Sequence, residues 1–307
     1  MAQEFHIIYQ QDAMEVPRQG STQTMAAENS AGSRATAERV TAERAPAARE
    51  MSSRVIDGIR IELIERGSGR PLLFLHPGIG IGASAPVLDL LAERTRLIAP
   101  SHPGFGGSEQ PPSFTSIDDL AYFYLDLMDD LDLDGTIVAG VSLGGWIAAE
   151  MAVKSCARIS HLVLANPVGI KVGGRETRDI ADIFAMTEEQ FAEMAYFDPG
   201  AGKHDYKAMP EAEVRAVARN REATARYGWS PYMHDPKLKQ RLHRIRVPTL
   251  LLWGTADRIL APPYGPAYCA AIPGARLEPI ARAGHFAHLE NPEEFARRIF
   301  AFVDETT

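Results

Sequence analysis

Residues 138–150 read VAGVSLGGWIAAE: an apolar run, one serine among small residues, then good helix formers at once. A serine hydroxyl attacks poorly unless a base holds it and its oxygen is exposed. A sharp strand-to-helix turn supplies the exposure but strains the backbone and crowds its neighbours. Glycine two residues before and two after the serine relieves that crowding, and Gly140-Val141-Ser142-Leu143-Gly144 has this form, with Gly145 adding room. The N–H of Leu143 would open the helix and face developing negative charge. A Gly-x-Ser-x-Gly string arises by chance in roughly one chain in ten of this length. It could also be a plain glycine-rich turn with a capping serine. Its surroundings must decide.

Those surroundings alternate. Short apolar runs occur at 71–76 (PLLFLH), 96–102, 136–142, 161–167, 248–255 and 276–281, and helical patterns near 84–94, 117–131, 143–155, 262–271 and 292–304 lie between them. Continuous rather than alternating apolar strands, separated by helices, predict a parallel sheet covered on both faces. Ahead of them, RVIDGIRIELIERG (54–67) alternates apolar and polar residues around Asp57-Gly58, which predicts an antiparallel hairpin. The stretch 169–243 has no strand pattern. It is helical and rich in Met and aromatics, among them Phe184, Phe191, Tyr196, Tyr227 and Trp229. Inserted between two strands, it is expected over the carboxyl edge of the sheet, where open α/β folds bind ligands. Most of those aromatics are expected to pack the insertion itself, and a minority to face the cleft.

The serine's partners follow in chain order. LLLWGTADRIL places Asp257 just beyond an apolar strand, and ARAGHFAHLENPEEF places His285 between the last strand and the last helix. The order Ser, Asp, His is that of α/β serine hydrolases. Neutral His285 would take the proton of Ser142, while Asp257 would fix the imidazole tautomer and stabilise the imidazolium. His288 lies nearer the helix and reads as support.

At this point the chain resembles the α/β-hydrolase superfamily from about residue 55 onward, through LLFLHPGIG, APSHPGFGGS, GVSLGG, WGTADRI and GHFAHLENPEEF. The resemblance implies a mostly parallel eight-stranded sheet flanked by helices. It also implies a helical cap (169–243) inserted after the sixth strand of a core built from 51–168 and 244–307. It further implies an oxyanion hole in the loop after the first central strand. That loop reads His76-Pro77-Gly78-Ile79-Gly80; Pro77 has no N–H, so Gly78 inherits the donor role beside Leu143. His76, Ile79, Trp146 and Phe286 are the expected pocket residues. Two departures from relatives stand out: Ser101, where Asp commonly precedes the Pro-Gly-Phe-Gly turn, and Phe286, where C–C bond hydrolases often carry Trp.

A serine at the elbow favours acyl transfer, so hydrolysis of a carboxylic ester, lactone or thioester is the leading expectation. The alternatives are hydrolysis of a carbon–carbon bond in aromatic ring-fission products and a non-catalytic binding protein on the same scaffold. Arg215, Arg219, Arg221 and Arg226 either pair with a substrate carboxylate or form a solvated helix face. Gly78, Gly80 and Ala83 also satisfy a dinucleotide-binding spacing. The next strand ends Ala99-Pro100-Ser101-His102, however, without the carboxylate that would hold a ribose, so no cofactor is expected.

A net charge of −8 argues against nucleic acid and anionic membranes as partners. The expected partners are a small-molecule substrate and, as an option left open, a second copy of the chain. Cys156 and Cys269 form neither a disulfide framework nor a metal motif, so no metal is expected and a cytoplasmic location is. The start of the chain lacks the pattern of a secretory signal. Residues 1–50, rich in Ala, Glu, Arg, Ser and Thr with the echo TAERVTAER at 36–44, predict a flexible tail. Translation starting at Met51 is the alternative.

Overall fold

The computed structural model describes residues 51–307; the expectations for residues 1–50 fall outside it. The chain opens with the hairpin β1 (Ser52–Ile56) and β2 (Ile59–Arg66). At its turn, Asp57 and Gly58 both have positive φ, 45° and 76°, which matches the twist of the flanking strands. Six further strands follow: β3 (Pro71–Leu75), β4 (Arg96–Pro100), β5 (Thr136–Val141), β6 (Ile159–Ala165), β7 (Thr249–Gly254) and β8 (Arg276–Ile280). They form one eight-stranded sheet in the order β1-β2-β4-β3-β5-β6-β7-β8, antiparallel at β1/β2 and β2/β4 and parallel elsewhere.

Burial on both faces explains why the central strands read as unbroken apolar runs. Leu73, Leu75, Val138, Leu162, Leu164 and Leu251 belong to one core, beneath α2 (Ile117–Asp130), α3 (Leu143–Lys154) and α7 (Tyr264–Ala271). Their neighbours Leu72, Phe74, Ile137, Ala139, Val163, Leu250 and Leu252 belong to the other, beneath α1 (Ala85–Ala92), the short α8 (Ala287–Glu290) and α9 (Pro292–Thr306). A slip of one residue would exchange these two sets, so register is strongly specified.

Between β6 and β7 come α4 (Glu188–Ala195), α5 (Glu211–Gly228) and the short α6 (Leu238–Arg241), with two isolated β-bridges. The chain leaves β3 toward β4 on one side and returns to β5 on the other. The carboxyl ends of neighbouring β3 and β5 therefore diverge, a switch point of the kind where open sheets place their sites. Among the described residues no helix is long and apolar enough to cross a membrane.

Candidate active site

Ser142 stands between β5 and α3 with φ 53° and ψ −112°, a conformation that costs roughly 1–3 kcal/mol for a non-glycine residue. The surrounding backbone holds it there. Its N–H donates to Ala165 O (2.9 Å), and its carbonyl accepts from the N–H groups of Trp146 (3.1 Å) and Val168 (3.3 Å). A methyl group at Gly140 would lie 2.2 Å from Gly144 O, and one at Gly144 would lie 2.0 Å from Leu75 O. These two glycines let α3 start against the ends of β3 and β5.

His285 and Asp257 complete a continuous chain of hydrogen bonds. Ser142 Oγ lies 2.8 Å from His285 Nε2, and His285 Nδ1 lies 2.8 Å from Asp257 Oδ2. A carboxylate oxygen only accepts, so Nδ1 carries the hydrogen and Nε2 is left to accept the serine hydroxyl. All three residues are buried. Asp257 Oδ1 accepts from the N–H groups of Ile259 (2.8 Å) and Leu260 (3.1 Å), which anchors the carboxylate in its own turn. The backbone of the His285 loop reaches the end of β7 because Gly254 has no side chain; a methyl group there would lie 1.9 Å from Gly284 O.

Asn166, just beyond β6, was not singled out by the sequence. Its amide donates to Asp257 Oδ2 (2.7 Å), the oxygen that also faces His285, and its Oδ1 accepts the Gly254 N–H (3.1 Å). The Gly254 contact fixes which way the amide points. Asn166 has φ 41°, a backbone region that Asn tolerates better than most residues. An Asn after a strand and before Pro167 was the available signal.

The loop after β3 is held from within. His76 Nδ1 donates to Pro77 O (2.7 Å), and its Nε2 accepts the His102 N–H (3.0 Å). His102 Nε2 donates to His76 O (2.8 Å), and Tyr124 Oη donates to His102 Nδ1. Burial pushes the His76 imidazole down to about 4, partly offset by the bond to Pro77 O. Burial and then the neighbouring His76 push His102 well below the ordinary range. Both rings are therefore neutral at pH 7. His76 is fully buried and stacked on His102, and both of its ring nitrogens hold the loop. The N–H groups of Gly78 and Leu143 donate to no group among the described residues.

The other expected pocket residues are distributed as follows. Ile79 is half-buried in the loop below α5. Trp146 is buried with its ring against Gly169, where an added methyl would lie 2.5 Å from it. Phe286 meets Phe191, Tyr196 and the ring of His285. His288 Nε2 is 3.4 Å from Ser84 Oγ, and burial followed by the proximity of His285 and His76 pushes its ring down to about 3, so it is a neutral support. Beside Ser101, Glu62 of β2 accepts the Ser101 N–H through its carbonyl (2.8 Å) and the Gly107 N–H through its carboxylate (2.7 Å). Among the described residues, no group of three or more His, Cys, Asp or Glu could hold a metal ion.

The alpha/beta hydrolase family model matches residues 72–298. The chain belongs to this family. One relative is the dihydrolipoyllysine-residue acetyltransferase component of the acetoin cleaving system of Cupriavidus necator. It is 27% identical over 78% of this chain, and the match spans 65% of that protein, just under two thirds. The 2-hydroxymuconate semialdehyde hydrolase of a Pseudomonas species is 28% identical over 81% of this chain and 92% of its own. Among solved structures, a thermophilic esterase from Thermogutta terrifontis shares the fold, with TM-score 0.65 and 21% identity over 84% of this chain and 99% of that one.

Proposed function

We propose that this hydrolase cleaves a small carboxylic ester, lactone or thioester through an acyl-enzyme on Ser142. The observation that carries the reading is the unbroken Ser142–His285–Asp257 chain, 2.8 Å at each link, with the serine held in a strained turn. Ser142 Oγ attacks the carbonyl carbon as His285 Nε2 removes its proton, and Asp257 stabilises the imidazolium. The N–H groups of Gly78 and Leu143 meet the oxyanion. Collapse of the tetrahedral adduct expels the alcohol, which takes the proton from His285. Water, deprotonated by the same imidazole, then releases the acid and restores Ser142. Residues 169–243 act as a cap that shapes the pocket.

A second reading, hydrolysis of a carbon–carbon bond, is favoured by the similarity to the Pseudomonas hydrolase. The arginines of α5 give it no support as carboxylate partners. Arg215 pairs with Glu211, Arg219 donates to Gly104 O and Ser108 O, Arg221 reaches Ile183 O, and Arg226 is exposed. The two free cysteines, Cys156 and Cys269, are in keeping with a reducing compartment. The test is turnover of a panel of p-nitrophenyl esters of graded acyl length against a dienol ring-fission product. Ester turnover is the expected result; cleavage of the dienol alone would move the assignment to carbon–carbon chemistry. A folded protein that turns over neither and takes no fluorophosphonate label on Ser142 would favour a binding protein.

A further inference from the structure

The loop His76–Gly80 exposes four consecutive carbonyls, and each one is held. His76 O accepts from His102 Nε2 (2.8 Å). Pro77 O accepts from His76 Nδ1 (2.7 Å) and Gly80 N–H (2.9 Å). The next two are held by the insertion rather than the core: Gly78 O accepts from Thr224 Oγ1 (2.8 Å), and Ile79 O accepts from Asn220 Nδ2 (3.1 Å). Asn220 cannot turn its amide round, because its Oδ1 accepts the Gly106 N–H (3.0 Å) from the neighbouring loop.

The fit is close enough to require glycine. A methyl group at Gly78 would lie 2.8 Å from Thr224 Oγ1, and one at Gly80 would lie 2.1 Å from Asn220 Nδ2. Both partner side chains are buried, Thr224 at 4% and Asn220 at 8% exposure. Tyr227, one turn further along α5, donates to Pro103 O (3.0 Å). At the insertion's other end, Ala195 O accepts the His285 N–H (2.7 Å), and Glu290 accepts the N–H groups of Phe197 (2.9 Å) and Gly284 (2.7 Å).

We infer that Thr224, assisted by Asn220, is a positioning residue for the oxyanion donor Gly78. Peptide groups are planar, so fixing a carbonyl fixes the direction of the N–H on the same unit. His76 Nδ1 and the Gly80 N–H fix, through Pro77 O, the unit that carries the Gly78 N–H, and Thr224 fixes the unit after it. Glycine is the residue at which this loop turns most easily; with both flanking units held, the donor keeps one direction before substrate arrives. The insertion is in this sense part of the catalytic scaffold and not a loose lid. The inference rests on the acyl-enzyme reading and on Gly78 as the donor.

The test uses the full-length protein and two opposite substitutions. Thr224→Val keeps the branched shape and removes the hydroxyl; Thr224→Ser keeps the hydroxyl and removes the methyl. Steady-state kinetics on p-nitrophenyl acetate are measured alongside the rate of fluorophosphonate labelling of Ser142, with thermal melting to confirm folding. Thr224→Val is expected to lower kcat about tenfold, the size of one lost hydrogen bond, and to leave KM within about twofold. Thr224→Ser is expected to restore kcat, and Thr224→Val with Asn220→Ala to lower it about a hundredfold. If packing were the role, Val would behave as wild type and Ser would be the defective variant, and that pattern would overturn the inference. A Thr224→Val that raises KM alone would overturn it as well. A folded wild type with neither ester turnover nor labelled Ser142 would instead remove the reading beneath it, an outcome distinct from either.

Discussion

Ser142 and Asp257 follow β5 and β7, strands in which every residue is buried. Helix α5 of the insertion meets the rest of the molecule through one narrow face, where Asn220, Ala223, Thr224 and Tyr227 are buried while Arg215, Arg221 and Arg226 are exposed. The two regions reach the same site by different means. The sheet fixes its residues through two-sided packing, register and a strained turn that only small neighbours permit. The insertion fixes the adjoining loops through a few side chain–carbonyl bonds. The contrast predicts that substitutions at the sheet edge abolish turnover, those on the buried face of α5 reduce it, and those on its outer face leave it alone.

The largest effect is expected at the serine. Ser142→Ala should lower kcat on a p-nitrophenyl ester by at least about 10⁴-fold, leaving circular dichroism and the melting temperature near those of wild type. Near-native turnover would place the nucleophile elsewhere. Asp257→Asn should follow with a loss of about 10³–10⁴-fold, because the amide favours the wrong imidazole tautomer; unchanged kinetics would point to another acid. Asn166→Ala should be milder, about ten- to a hundredfold in kcat, since it frees Asp257 Oδ2 of one partner and leaves the Ile259 and Leu260 bonds in place. A shift in KM alone would show that Asn166 shapes the pocket instead.

Stability should respond to pH through the buried histidines of the core. His76 and His288 sit at about 4 and about 3 when folded, against an ordinary value of 6.5. As pH falls from 6.5 toward 4, the unfolded chain takes up protons that the folded one refuses, so stability present at neutral pH is lost across that window. Each pKa unit corresponds to about 1.4 kcal/mol, so the loss is on the order of a few kcal/mol. Glu150, whose carboxyl burial raises, works in the opposite sense near the acid end. Urea midpoints at about pH 7 and pH 5 should therefore differ in wild type and differ less in His288→Gln. Equal slopes in the two proteins would show that His288 does not refuse its proton. The smallest effect is expected on the outer face of α5: Arg215→Ala breaks an exposed pair with Glu211 and should change kcat and KM by less than about twofold.

The same contrast explains what the sequence made legible. Two-sided burial writes a strand as an unbroken apolar run, and chain order constrains where acid and base follow the serine. So β3 to β7 could be read directly, and chain order picked out Ser142, Asp257 and His285, three residues that the structure brings together. Asn166 was not, because one amide after a strand carries no pattern until Gly254 and Asp257 come together around it. Thr224 and Asn220 lie on a helix whose sequence, EAEVRAVARNREATARYG, reads as a solvated face; only the approach of Gly78 and Gly80 gives them a role. The packing of His76 against His102 and Phe105 likewise shows only in space. So does the approach of the Glu62 carboxylate to the Gly107 N–H, beside Ser101.

Activation of Ser142 by His285 is read out by labelling with a fluorophosphonate followed by intact mass and peptide mapping. A single adduct is expected on the peptide carrying Ser142, with the rate falling by about 10³-fold or more in His285→Ala. A folded wild type that takes no label, or a His285→Ala variant that labels as fast as wild type, would contradict it.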